Sequence, residues 1–277
     1  MYLRSFWVFF SVLIILVRCD SVPKVPTLKV GQYSISKTLS QTDSTLTFTV
    51  NNTLESPLTI AITTSNKELQ ALLNPFTLQA IRDTTLTVAF RTTDTDLNIR
   101  MASYLGDPNK IIRDTIIQYP IPRNTATKII QGNESTPTHN TDWSRYAVDF
   151  DIKVKDTIYA ADSGYVVGVV QAYTDGGPSP KWRDFSNFIT TYNKQSGIFT
   201  QYVHLYHNGS FVKIGDYIRP GDAIGIVGYT GQTNIEHLHF NRLKPKTSGL
   251  GITSIPIHFT DNVPSTSLKR GQTVTRQ

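Results

Sequence analysis

The tripeptide His237-Leu238-His239 is the part of the sequence best suited to bind a metal ion. On a β-strand, alternate residues point to the same face, so both imidazoles would project together while Leu238 faces the core. A neutral imidazole nitrogen is a preferred zinc ligand, and a catalytic zinc keeps three protein ligands and one open position. The spacing alone is a weak signal, because such pairs also occur by chance on exposed strands. Further ligands are therefore needed from elsewhere in the chain.

All the histidines lie in the second part of the chain. Six are present, and each follows residues 119–123, where two prolines would end strand pairing and mark a domain boundary. Residues 28–118 contain no histidine or cysteine. We therefore expect the chemistry after residue 120 and a spacer or binding module before it. The histidines are His139, His204, His207, His237, His239 and His258.

The elements that would position these side chains are predicted to be β-strands throughout. In the first half, Leu46, Phe48 and Val50 alternate with threonines, which is typical of half-buried antiparallel strands. The turns between such runs suit a β-sandwich-like module over residues 24–120. Residues 121–260 also read as short strands, without a convincing amphipathic helix. Residues 261–277 are assigned to a C-terminal tail.

Two pairs of strands stand out in the second half. Residues 158–161 and 165–170 read as strand, tight turn and strand. Residues 188–192 and 199–204 flank a polar, glycine-containing loop, which predicts a β-hairpin.

The longest irregular stretch of this half, residues 174–184, is a candidate lid beside a site. Tyr173, Trp182 and Phe185 either line a substrate groove or belong to a core, and the sequence leaves both readings open.

Five ordered segments of the second half resemble one family. They include Tyr146-Ala147-Val148-Asp149-Phe150 and Tyr202-Val203-His204-Leu205, and they end at His237-Leu238-His239-Phe240. Together they resemble the catalytic domain of the lysostaphin, or LytM, zinc endopeptidases over residues 119–245. The resemblance implies an antiparallel sheet with a groove, one zinc ion, and hydrolysis of peptide bonds in bacterial cell-wall peptidoglycan. The other segments are residues 160–170 and 212–231.

The resemblance also implies roles for individual residues. Asp149 and His239 match two of the zinc ligands, and His204 and His237 match two active-site histidines that do not bind the metal. Zinc lowers the pKa of its water and polarises the scissile carbonyl. A nearby histidine can then take a proton from that water, and another can stabilise the oxyanion.

The first histidine ligand departs from the simplest family pattern. In many relatives it lies four residues before the aspartate, where this chain has Arg145, whose guanidinium has no lone pair for zinc. A subgroup has a longer loop, introduced by a Gln-Gly-Asn-like turn and followed by a Ser-His or Thr-His pair. Residues 131–133 and the pair Thr138-His139 resemble that version. His139 is therefore expected to be the remaining ligand, the alternative being an ordinary loop histidine.

The beginning of the chain reads as an export signal. An apolar run from Phe6 to Val17 follows Arg4, and it is too short to span a bilayer, so residues 1–19 are predicted to be a signal peptide. Cys19, the one cysteine of the chain, is placed like the lipidated cysteine of bacterial lipoproteins, although Arg18 departs from the small residue expected there. The alternative is ordinary cleavage near Asp20 and a soluble exported product.

The net charge of +6 suits work beside anionic envelope polymers. The basic residues are scattered and no nucleic-acid motif accompanies them, so peptidoglycan peptides are the expected partner and nucleic acid is not. Two other readings stay open, namely a LytM-type regulator that does not cut and a wall-binding protein of the envelope. Stoichiometric zinc would argue against an adhesive module.

Overall fold

The computed structural model describes residues 23–91 and 97–277. The expected signal peptide and Cys19 lie outside the described residues. Within them, regular structure is almost entirely β, with one short α-helix and two short 3-10 helices. The all-β fold class is thereby confirmed. Among the described residues, no helix is both long enough and apolar enough to cross a membrane.

The first half of the chain forms two three-stranded antiparallel sheets, with strand orders β1-β2-β5 and β4-β3-β6. The alternation expected from the sequence is confirmed in β2, where Leu46, Phe48 and Val50 are buried and the intervening threonines are half-buried. These side chains enter one apolar core with residues of β3, so the two sheets form a sandwich-like module. The elements are β1 Ser36–Gln41, β2 Thr45–Asn52, β3 Leu58–Thr63, α1 Lys67–Leu72, β4 Phe76–Leu78, β5 Arg82–Ala89 and β6 Arg100–Leu105.

The second half is organised around one large sheet of nine strands. Its order is β16-β11-β13-β14-β19-β9-β8-β22, with β20 also paired to β19. The strands of this half are β7 Ile116–Ile117, β8 Thr125–Gln131, β9 Val148–Phe150, β10 Thr157–Tyr159, β11 Gly164–Val170, β12 Gly176–Gly177, β13 Phe188–Asn193, β14 Ile198–Val203, β15 Leu205–Ser210, β16 Tyr217–Ile218, β17 Ala223–Val227, β18 Gly231–Gln232, β19 Leu238–Pro245, β20 Ile252–Ser254, β21 His258–Phe259 and β22 Thr273–Arg276.

Of the two predicted pairs of adjacent strands, one is hydrogen-bonded in the structure. The hairpin of β13 and β14 is confirmed, with Asn193 opposite Ile198 next to the loop. The segments assigned to strand, turn and strand do form β10 and β11, but they do not pair with each other. β10 joins a small sheet with β17, whereas β11 pairs with β13 and β16 in the large sheet. Pairing partners depend on contacts distant in sequence, which a local pattern does not encode.

Alternate side chains of the central strand β19 point to opposite faces of the large sheet. Leu238 and Phe240 enter the main core of the second half, whereas Leu243 enters the core of the sandwich-like module. Since alternate residues of a strand share a face, His239 lies on the same face as Leu243. The module therefore covers one end of the sheet face that carries His239.

The two halves are joined by a shared apolar core. Tyr192, Phe199 and Leu243 from the large sheet pack with residues of the first-half strands. Gly106 lies at this junction with a φ of +92°, and a Cβ atom there would lie 2.2 Å from Pro245 Cγ. A side chain at this position is therefore excluded both by conformation and by space.

The change from one core to the other comes slightly earlier than the prolines suggested. Leu105 packs in the core of the module, whereas Ile117 and Tyr119 already belong to the main core of the second half. Tyr119 stacks on Phe259 with ring centroids 4.2 Å apart. Tyr119 and Ile121 are thus buried in the main core of the second half.

Two further regions are more ordered than the sequence suggested. Within residues 261–277, assigned to a tail, β22 pairs with β8 and extends the large sheet. Residues 174–184 contain β12 and enter a 3-10 helix over Pro180–Phe185. Tyr173, Trp182 and Phe185 form a small buried cluster, so these aromatics are core residues. The second 3-10 helix spans Ser265–Ser267.

Candidate metal centre

The register of three adjacent strands brings an aspartate and several histidines to one face of the large sheet. Asp149 in β9 lies opposite His239 in β19. On the other side of β19, His239 lies opposite Val203, the last residue of β14, and His204 follows directly. Residues far apart in sequence therefore meet because β19 is the strand between β9 and β14.

Asp149, His139 and His239 form a compact set of donor atoms. The Oδ1 atom of Asp149 lies 2.9 Å from Nδ1 of His239 and 3.2 Å from Nε2 of His139. The two imidazole nitrogens lie 3.3 Å apart. Donors placed tetrahedrally at 2.0–2.1 Å from zinc would be separated by about 3.3 Å. The three side chains are buried, and their donor atoms fit the spacing of a zinc site.

The loop between β8 and β9 delivers His139 to this set. Its Nδ1 atom donates to the carbonyl oxygen of Gly132 at 2.8 Å, which places the ring proton on Nδ1 and leaves Nε2 as the lone-pair nitrogen. Arg145 is exposed and lies outside the cluster. The structure thus brings His139, and not the residue four positions before Asp149, next to the carboxylate.

His204 and His237 lie beside the compact set. Nδ1 of His204 donates to the carbonyl oxygen of Thr230 at 2.7 Å, and Nδ1 of His237 donates to that of Ile235 at 2.8 Å. Both rings therefore keep Nε2 for the site. Nε2 of His237 lies 3.6 Å from Oδ2 of Asp149. The two ring centroids are 4.6 Å apart, so these imidazoles form a pair facing the same space.

His239 also belongs to a second group that offers metal-ligating atoms, together with His204 and His237. The ring centroids of His204 and His239 are 5.9 Å apart, compared with 5.1 Å for His139 and His239. The group with His139 contains a carboxylate, which supplies negative charge to a divalent cation. Geometry and charge therefore favour His139, Asp149 and His239 as the metal-holding set.

Burial and mutual charge set the protonation of the cluster. Burial would raise the pKa of Asp149, but neighbouring His237 and His139 hold that pKa well below its usual value. Burial, together with His237 and His239, lowers the pKa of His204 well below its usual value. Burial opposes protonation of His139, yet Asp149 raises its pKa overall. The site thus holds an ionised carboxylate among imidazoles, which a bound cation would neutralise.

Asp149, His204, His237 and His239 line a groove of about 1230 Å³, whereas His139 lies behind them between the lining residues Thr138 and Asn140 in sequence. Its walls include segments that the sequence did not connect with the site, among them Lys29 to Gln32 and Lys269 to Arg270. The side-chain Oε1 of Gln32 accepts from Thr190 Oγ1 at 2.9 Å within the sheet. No local motif marks these residues, since only the tertiary packing of segments distant in sequence brings them to the groove. His207 and His258 line neither the groove nor the described metal-ligating groups.

Part of the second half matches a known peptidase family. Residues 144–248 match the sequence model of Peptidase family M23, a range that includes Asp149, His204, His237 and His239 but begins after His139. Lysostaphin from Staphylococcus simulans is 33% identical over 99 residues, which are 35% of this chain and 18% of lysostaphin. The chain thus matches less than a fifth of the length of this curated relative.

Solved structures of similar proteins include the antimicrobial peptidase lysostaphin from Staphylococcus simulans, at 28% identity, covering 43% of this chain and 42% of that one with a TM-score of 0.33. Another is a zinc-containing peptidase from Vibrio cholerae, at 13% identity, covering 72% of this chain and 75% of that one with a TM-score of 0.35.

Proposed function

We propose, from the match of residues 144–248 to the sequence model of Peptidase family M23, that this chain is a zinc-dependent endopeptidase that hydrolyses peptide bonds of bacterial cell-wall peptidoglycan. The zinc dependence is inferred from the spacing of 2.9 to 3.3 Å among the donor atoms of His139, Asp149 and His239. These residues would hold the ion. When bound, zinc polarises the scissile carbonyl and acidifies a water molecule.

The paired imidazoles supply the proton transfers that such a hydrolysis needs. His204 is neutral because its pKa is lowered by burial and by the neighbouring histidines, so its Nε2 carries a lone pair that can accept a proton. His237 presents its own Nε2 to the same space, since its Nδ1 is engaged by the carbonyl of Ile235. In this proposal one imidazole takes a proton from water and passes it to the leaving amine. The other stabilises the oxyanion in its protonated form, because only then does its Nε2 carry a hydrogen to donate.

The dimensions of the groove support a peptide substrate. Its volume of about 1230 Å³ exceeds the roughly 300–1,000 Å³ of typical small-molecule sites. Trp143 is exposed and is among the residues that line the groove, and an aromatic face can pack on a peptide chain or a sugar ring. Access to the wall also requires export, which remains a prediction based on residues 1–19.

The direct test is digestion of purified peptidoglycan with the purified protein, followed by mass spectrometry of the released fragments. We expect new peptide amino termini, loss of their release after treatment with a chelator, and recovery on adding zinc. Cleavage that survives metal removal would contradict the zinc dependence. Binding of peptidoglycan without any released fragment would instead support a non-catalytic wall-binding or regulatory protein.

The role of His139 has a separate test. Replacing His139 by Ala should lower both zinc content and cleavage by at least about 10²-fold, because two protein ligands remain where a catalytic zinc uses three. Arg145→Ala is the matched control, since Arg145 is exposed and should leave both unchanged. Elemental analysis and fragment release are the measurements. Stoichiometric zinc and full activity in His139→Ala would show that the ligand is another residue.

A further inference from the structure

His204 is held in an unusual backbone conformation. Its φ angle is +66°, in the left-handed region that residues with a side chain rarely adopt. The residue lies at the sharp change of direction between β14 and β15, and its carbonyl oxygen accepts a hydrogen bond from the Gly228 N–H at 2.8 Å. Such a conformation persists only where the surroundings fix it. The groups around His204 are therefore of interest.

Thr230 contacts His204 and its neighbour with two different groups. Its carbonyl oxygen accepts from His204 Nδ1 at 2.7 Å. Its hydroxyl donates to the Leu205 carbonyl oxygen at 2.9 Å and accepts from the Asn187 N–H at 2.9 Å. Thr230 is only 1% exposed. One residue thus fixes both the ring of His204 and the backbone that follows it.

Asn187, which directly precedes β13, is the second residue of this hydrogen-bond network. Its side-chain amide donates to the carbonyl oxygens of Tyr173, Leu205 and Tyr206 at 2.7, 3.3 and 3.3 Å. The backbone carbonyl oxygen of Asn187 accepts from the Leu205 N–H at 3.1 Å. Asn187 is fully buried. Because Tyr173 begins the segment that leads to the groove wall, this network also ties His204 to that wall.

We propose that Thr230 and Asn187 are positioning residues, which hold the backbone of His204 in its left-handed conformation and its ring with the proton on Nδ1. This inference rests on the proposed function. Both residues act through His204. The backbone carbonyl of Thr230 binds the His204 ring, the two side chains bind the Leu205 carbonyl, and the Thr230 hydroxyl also accepts from the Asn187 backbone N–H. Without them, His204 can relax toward a commoner conformation and turn Nε2 away from His237.

The test uses Thr230→Val, which keeps the shape of the side chain and removes the hydroxyl. The Asn187 N–H is then left unpaired in a buried position. We expect kcat on purified peptidoglycan to fall about tenfold, the lower end of what losing a supporting hydrogen bond costs at such sites. KM and zinc content should change little. Thr230→Ser restores the hydroxyl and should recover most of kcat.

A matched control separates positioning from general stability. Thr59 in the sandwich-like module is also buried, and its hydroxyl donates to the Gly106 carbonyl oxygen at 2.9 Å. Thr59→Val loses a comparable hydrogen bond far from His204, so it should lower the melting temperature without changing kcat. An equal fall of kcat in Thr59→Val would overturn the proposal.

A second readout does not depend on activity. Ring ¹⁵N NMR of histidine-labelled protein, with the His204 signal identified by its loss in His204→Ala, should show the proton on Nδ1. In Thr230→Val that signal should shift or broaden, while the signal of His258 should not.

Unchanged His204 signals and wild-type kcat would overturn the positioning role. If the wild type cleaves nothing, the proposed function fails, and the ring signals still decide the positioning. If Thr230→Val does not fold, Thr230→Ala takes its place.

Discussion

Replacing His239 by Ala is expected to remove the bound zinc and abolish cleavage of peptidoglycan. His239 Nδ1 lies 2.9 Å from Asp149 Oδ1 and 3.3 Å from His139 Nε2. An ion held by these two residues would therefore also be within reach of His239. Loss of one of three protein ligands leaves a site too weak to retain the ion through purification. The measurement is zinc per chain by elemental analysis, together with fragment release from peptidoglycan.

The control for this variant is His258→Ala. His258 is half-exposed and pairs with Asp114 at 2.5 Å, well outside the groove lining. It should keep both zinc and activity. Undiminished zinc in His239→Ala would refute the ligand assignment, and zinc lost equally in His258→Ala would mean that the assay reports unfolding.

Changing His204 or His237 to Ala should have the opposite effect on the metal. Zinc should stay bound in either variant, while turnover falls by about 10²-fold or more, the usual scale for losing a general acid–base group or an oxyanion donor. His207→Ala is a suitable control, because His207 lies three residues from His204 and contacts Asn208. The measurements are the initial cleavage rate and the zinc content of each variant, both taken on the same preparation. Full activity in both variants would exclude these roles.

The two sets of variants also decide between two ways of holding the ion. His239 belongs to the group with His139 and Asp149 and to the group with His204 and His237. Loss of zinc in His204→Ala and His237→Ala, with zinc retained in His139→Ala, would assign the metal to the second group. The expected pattern is the reverse, because the first group has the carboxylate and donor atoms spaced 2.9 to 3.3 Å apart.

The first half of the chain contributes to the groove as well as to the fold. Its core is shared with Tyr192, Phe199 and Leu243 of the large sheet, so removing it would expose apolar side chains on the face that carries His239. Gln32 reaches the same face through Thr190. Substrate selection by this chain is therefore expected to involve residues outside the segment that matches Peptidase family M23.

The sequence by itself predicted the strand content and named the residues that the structure brings together in the candidate site. The alternation at Leu46, Phe48 and Val50 predicted which side chains are buried, because a strand has a period of two wherever one face is covered. The expectation that His237 and His239 lie on one strand is met only for His239, since β19 begins at Leu238. His237 directly precedes the strand and still offers its imidazole to one metal-ligating group with His239. Family motifs identified Asp149 and His204, and the Thr138-His139 pair indicated the loop histidine that the structure brings to the carboxylate.

Only the tertiary structure decided which strands pair and what surrounds the histidines. The segments that form β10 and β11 have the local pattern of two adjacent strands, yet each gains more by pairing elsewhere, and that choice depends on residues far along the chain. The partners of His204 and His237 are backbone carbonyls of Thr230 and Ile235. Every residue carries such a carbonyl, so no residue type marks the one that the fold will place against an imidazole.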